Sequence, residues 1–200
     1  MLFRSRLTPG DGNSSQAPVK PPHPFLRAWQ DDDLPRFQAL HADPDIAYWL
    51  GGALSPDLAA QAFERDRKFL FENQWGVWVV QDPAGKLVGA AGLQPVRSGL
   101  PFHPGVEATW RLHPAARGRG LITEAMRAVL QDGFARLDVP EIVTFTSSTN
   151  LASQRVMGRL GFRRDQTRDF LHPKLPVDHP LRPHLFFALG RPAPDLPGGR

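Results

Sequence analysis

Arg117-Gly118-Arg119-Gly120 runs without a break into LITEAMRAVL, a stretch with the apolar spacing of a helix. Glycine is a poor helix former, but it lets the backbone turn tightly and leaves N–H groups open to a close-lying ligand. A helix N-terminus adds unpaired N–H donors and a partial positive charge, and the interleaved arginines add whole charges. Residue types in that order suit a phosphate. Two phosphate-binding designs are excluded by single positions. A nucleotide P-loop ends in Gly-Lys-Ser/Thr, whereas Gly120 is followed by Leu121 and Ile122. The dinucleotide fingerprint G-x-G-x-x-G needs glycine at 123, where Thr123 stands. Thiol chemistry is excluded as well, because the chain has no cysteine. His172, His179 and His184 lie among prolines in HPKLPVDHPLRPH, with no H-x-x-x-H pair on a helix, so no metal site is expected.

The elements that must position the glycine turn alternate along the chain. Pro24 to Trp29 reads as extended, and Asp33 as the cap of a helix with an apolar stripe of Leu34, Phe37 and Leu40. Ser55-Pro56-Asp57 places a cap and a first-turn proline before a helix running to about Glu72. WGVWVVQDPAGKLVGAAGLQPV reads as a hairpin turning at Asp82-Pro83-Ala84-Gly85. A strand at 105–112 precedes the glycine turn, which opens a helix from Leu121 to Leu137. The strand EIVTFT, a helix from Asn150 to Leu160, a strand over 162–168 and a last strand over 184–189 complete the pattern.

A chain of 200 residues with 41% hydrophobic content suits one domain with a full core. Its net charge of +4 comes from 24 Lys and Arg against 20 Asp and Glu, an excess too modest to imply nucleic acid. The arginines cluster at 111–119 and 155–168, a distribution that serves a polyanionic small molecule equally well. No stretch approaches the roughly 18 apolar residues of a membrane span, so a cytoplasmic protein with no membrane partner is expected. Prolines gather at both ends, and residues 1–22 and 192–200 are expected to be poorly ordered tails around a domain at 23–191.

WRLHPAARGRGLITEAMRAVL, followed after one strand by TNLASQRVMGRLGF, resembles the GNAT superfamily of acyl-CoA-dependent N-acyltransferases, in the branch of the RimJ/RimL-type protein N-terminal acetyltransferases. The likeness extends from about His23 to Leu189. One position departs from it: many members carry Gln or Arg three residues before the first glycine, where this chain has Ala115. The resemblance implies an α/β fold with a mixed, mostly antiparallel central sheet of six or seven strands, helices on both faces, and a splay between strands 4 and 5. It implies acetyl-CoA as co-substrate and an amine as acceptor: a protein N-terminus such as that of a ribosomal protein, or alternatively an amino acid, polyamine or antibiotic. A non-catalytic acyl-CoA sensor is a further alternative, and a homodimer is left open.

By that likeness the pyrophosphate would lie on Arg117, Gly118, Arg119, Gly120 and Leu121. The main chain at Leu112 and His113 would hold the pantetheine arm and polarise the thioester carbonyl. Asn150 would contact pantetheine, although Asn there serves equally as a helix cap. Ser153 would lie near the sulfur, donating to the departing thiolate or only positioning it. An attacking amine must first lose a proton. Glu107, the single acidic residue of its strand, is the foremost base, with an exposed cross-strand partner as its other reading; His103 and His113 follow. The segment holding His172, His179 and His184 would wall the acceptor pocket, and aromatic residues near Tyr48, Trp49 and Leu50 would line it.

Overall fold

Turn residues decide where the strands reverse. At 82–85 the Asp82 carboxylate accepts from the N–H groups of Ala84 and Lys86, both at 2.9 Å. Strand β2 (Val77–Gln81) therefore returns antiparallel as β3 (Leu87–Pro95). The computed structural model describes residues 19–192, and the expected tails fall almost wholly outside them. The other strands are β1 (Leu26–Arg27), β4 (Val106–Leu112), β5 (Glu141–Ser147), β6 (Arg163–Arg164), β7 (Phe170–Leu171) and β8 (Pro183–Gly190). The helices are α1 (Leu34–Ala42), α2 (Pro44–Trp49), α3 (Pro56–Asn73), α4 (Leu121–Arg136) and α5 (Leu151–Arg159). All eight strands join one sheet in the order β1-β2-β3-β4-β5-β8-β6, with β7 on β8. Every pairing is antiparallel except β4–β5, which is parallel and matched at one position, Glu107 opposite Val143.

Helices cover both faces, and the two-residue period of β4 shows which covers which. Arg111 reaches His41 of α1 on one face. Ala108, three positions earlier and so on the opposite face, pairs with Leu93, whose side chain packs at Gly133 of α4. The core between them includes Phe37 and Phe63 on the first side and Met126, Val129 and Phe134 on the second. No helix among the described residues is long and apolar enough to cross a membrane.

Three local expectations need correction, and one helix has no counterpart in the sequence reading. Asp33 does not cap α1; its carboxylate forks onto Arg27 at 2.6 and 2.7 Å and accepts from Gln30 N–H, closing a 3-10 turn instead. Helix α2 follows directly from the Asp43-Pro44 pair, the same cap-then-proline signal as Ser55-Pro56, with Asp43 accepting from the N–H groups of Asp45 and Ile46. The strand expected over 162–168 stops at Arg164, because Asp165 accepts from the N–H and the hydroxyl of Thr167 and bends the chain into a 3-10 turn. Phe170–Leu171 then pairs with β8 as an additional short strand, which raises the count above the expected six or seven.

The far end of α4 is fixed by Arg191. Its guanidinium donates to the carbonyls of Phe134, Leu137 and Val139, satisfying acceptors that the helix end leaves unpaired. Arg191→Ala is expected to cost about 2–4 kcal/mol, since each bond to a charged group contributes roughly 1.5–3 kcal/mol and the three share one side chain. Chemical denaturation would show it as a lower midpoint with an unchanged slope; an unaltered midpoint would refute the clamp.

Candidate active site

Strand β4 parts from β5 soon after their one matched pair. The Thr144 hydroxyl still reaches the Ala108 carbonyl at 2.9 Å, and no ladder pair follows. Main-chain direction alternates along a strand. His113 N–H donates to the Val88 carbonyl on β3 at 2.8 Å, so the main-chain groups of Trp110 and Leu112 face the opposite way, into the gap. A cavity of about 710 Å³ opens there and extends along both strands.

One end of the cavity is built from helix starts. Gly118 and Gly120 have φ of +80° and +78°, a region that side chains strain to enter, and together they swing the chain into α4. The first bond of α4 runs from Glu124 N–H to the Gly120 carbonyl, and no side chain caps the helix. The N–H groups of Leu121, Ile122 and Thr123 are therefore left without a helical partner, and all three residues line the cavity with Arg117, Gly118 and Gly120. Arg117 also donates to the Leu112 carbonyl at 3.3 Å and lies 3.6 Å from Asp45 of α2. Facing this turn is the start of α5, where buried Asn150 accepts from Ser153 N–H at 3.2 Å. The cap reading of Asn150 is thus realised, while the residue and Ser153 both line the cavity.

At the other end Glu107 is buried in the cavity wall, with one oxygen accepting from Gln94 across the strand pair at 3.0 Å. Burial pushes its carboxyl up to about 7, against the opposing pull of the Gln94 hydrogen bond and the charges of Arg97 and Arg111. Arg111, on the same face of β4, donates to His41 Nε2. His41 in turn donates from Nδ1 to the Phe37 carbonyl at 2.9 Å. Burial and the adjacent Arg111 charge drop His41 to about 4, so it stays neutral and acts as an acceptor for the guanidinium.

The acetyltransferase (GNAT) domain family model matches residues 25–163 of this chain, taking in strands β1 to β5, the glycine turn and both helix starts. The chain belongs to the GNAT acetyltransferase family. A curated relative, the uncharacterized N-acetyltransferase YnaD of Bacillus subtilis, is 32% identical over 59 residues; the match covers 30% of this chain and about a third, 35%, of that protein. A solved protein of Bordetella pertussis assigned to the GnaT family is 28% identical, with a TM-score of 0.66 over 82% of this chain and 93% of its own. The spermidine N-acetyltransferase of Vibrio cholerae, solved with CoA and spermine, shares the fold at 17% identity, with a TM-score of 0.65 over 83% of this chain and 94% of its own.

Not every expected site residue reaches this GNAT cavity. Arg119 and His113 do not line it. The His113 ring accepts from Ala115 N–H at 3.3 Å and stands 3.8 Å from Asp43, and its amide is taken by Val88. The open main-chain groups near it belong to Trp110 and Leu112. His103 is turned to the Val96 carbonyl at 2.9 Å, off the cavity. Of the proline-rich segment, His172 and His184 reach the wall and His179 does not; of the stretch 48–50, Trp49 and Leu50 do and Tyr48 does not. Ile122 and Thr123 escaped the sequence reading because they act through backbone. Arg155 and Arg159 lie in the arginine-rich run 155–168, which signalled positive charge without singling them out.

Burial of Glu107 has a consequence for stability with a definite sign. Below its ordinary value of 4.5 the carboxyl is neutral in both states. As pH rises toward 7 the unfolded chain ionises while the folded one resists, so stability falls across that window. Glu107→Gln removes the deficit. Its unfolding free energy should exceed that of the parent at pH 8 by an amount on the order of 3 kcal/mol, seen as a higher melting temperature, and match it at pH 4. Equal gains at both values would show that burial does not govern this carboxyl.

Proposed function

We propose that this chain transfers an acetyl group from acetyl-CoA to a primary amine by direct attack, with Glu107 as the general base. The observation that carries the reading is a buried carboxylate, titrating near 7, at the last paired position before β4 and β5 part. The co-substrate's diphosphate would rest on the amides of Gly118 to Thr123 and its arm would run along β4, so that the thioester lies in the gap. Arg117 would add charge at the diphosphate end, and Asn150 would bond the pantetheine amides through its Nδ2 donors. Glu107 then takes a proton from the ammonium, directly or through one water, and the freed lone pair forms the new C–N bond. An N–H of Trp110 or Leu112 meets the oxyanion; the C–S bond then breaks, and the second proton leaves the new amide nitrogen for the departing thiolate, to which Ser153 donates a hydrogen bond.

A small amine suits the cavity better than a protein N-terminus of the ribosomal kind that the RimJ/RimL-type resemblance implies. The end of α2 and the segment between β7 and β8 meet at the acceptor end: a Cβ on Gly51 would lie 2.8 Å from Leu175 Cδ2. Both residues line the cavity, and their contact leaves a polypeptide little room to pass between these walls.

Steady-state kinetics test the base. In Glu107→Gln, kcat/KM should fall about 10²–10³-fold, and the rise of activity with pH through about 7 should vanish. Calorimetric binding of acetyl-CoA should be unchanged. An undiminished rate would remove Glu107 from the mechanism. The turn is tested separately. Gly118→Val or Gly120→Val should raise the KM for acetyl-CoA about tenfold, the cost of forcing a branched residue to positive φ, with the far-UV spectrum retained.

A further inference from the structure

The acceptor half of the cavity carries more positive charge than an amine substrate would ordinarily tolerate. Its ionisable lining comprises Arg97, Arg111 and Lys174 against a single carboxylate, Glu107. The remaining lining carboxylate, Asp45, lies at the other end beside Arg117. The two wall histidines add no charge near neutrality. Burial holds His172 near 4 and also lowers His184, and the neighbouring charges of Lys174 and Arg97 press the first of them further. Among the described residues the guanidinium of Arg97 has no hydrogen bond or ion pair. It lines the same cavity as Glu107 and His172, and it follows by three residues Gln94, which donates to Glu107. Arg111 is held by one N–H on His41, and the carboxylate behind it, Asp66, is already forked by Arg65 at 2.8 and 3.0 Å. Among the described residues neither arginine has a carboxylate within ion-pair distance.

Resting on the transfer reaction proposed above, we infer that the acceptor is an amino acid: a primary amine that also bears a carboxylate, received by Arg97 with Arg111 behind it. A planar guanidinium with free donors matches a carboxylate at two points, and an unpaired pair of arginines becomes favourable only when an anion arrives. Arg97 and Glu107 line the same cavity, so a carboxylate seated on Arg97 leaves the amine of the same molecule facing the wall that holds Glu107. The body of the ligand would face Trp49, Leu50, Leu100, Phe145 and Leu175, so its side chain is apolar. A polyamine has the opposite character, because its additional ammonium groups would meet three cations and no second carboxylate.

The test compares acceptors that differ in one group: phenylalanine, phenylalaninamide and 2-phenylethylamine, with spermidine and a neutral tripeptide alongside, each followed by free-thiol release from acetyl-CoA. Phenylalanine should exceed its amide in kcat/KM by about ten- to a hundredfold, as expected for a charge-assisted contact. Arg97→Ala should erase most of that ratio, Arg97→Lys should restore part of it, and Arg97→Glu should turn the preference toward spermidine. The KM for acetyl-CoA should stay constant in all three variants. Equal turnover of acid and amide, a preference for spermidine or the tripeptide in the parent, or an unchanged ratio in Arg97→Ala would each overturn this inference while leaving the transferase standing. Binding of acetyl-CoA without turnover of any amine would overturn both.

Discussion

The parting of β4 from β5 is the constraint on which the rest of the molecule depends. Unpaired main-chain groups inside a sheet are costly unless something meets them, so an opening of this kind must be braced. The bracing lies on the outer edges. Strand β4 is matched to β3 at seven positions from Gly89–Leu112 to Pro95–Val106, and β5 is matched to β8 at seven positions from Glu141–Gly190 to Ser147–His184. Each strand is thus held along its full length by the neighbour that does not diverge. The gap can stay open to water or to a ligand without loosening the sheet.

The same divergence brings two helix starts to one place. Helix α4 begins after the turn that follows β4, and α5 begins where β5 ends, so both N-termini point at the widening space. They are finished differently. The start of α5 is capped by Asn150, whereas the start of α4 has no side-chain cap and presents its amides bare. An uncapped helix start beside positive side chains is an unfinished electrostatic structure, and in the proposed reaction the diphosphate of acetyl-CoA would complete it.

At the opposite end burial and charge compete over Glu107. The arginines and Gln94 favour its ionised form, removal from water disfavours it, and removal from water prevails. The balance leaves a carboxyl that exchanges its proton near neutral pH. His41 shows the converse arrangement. It is kept neutral by burial and by Arg111, and its lone pair orients that guanidinium on the face it shares with Glu107.

Local chemistry was legible in the residue order: the glycine turn before α4, the Ser55-Pro56 start of α3, the Asp82–Gly85 reversal and the Asn150 cap all rest on contacts within a few residues. Each such feature is written in neighbouring side chains, which is why spacing reveals it. Short elements were legible only in part: β1 and β6 lie inside the segments read as extended at 24–29 and as a strand at 162–168, but their two-residue lengths, and β7 altogether, are set by the strands they pair with. Asp33 was misread for a related reason: a carboxylate that can cap a helix can equally fork an arginine six residues away, and only packing chooses. Tertiary structure alone decided which charges share the cavity. Arg97, the β4 pair Glu107 and Arg111, and Lys174 come from three separate stretches of chain, and the field that they create depends on through-space distance and burial, quantities that no linear pattern contains.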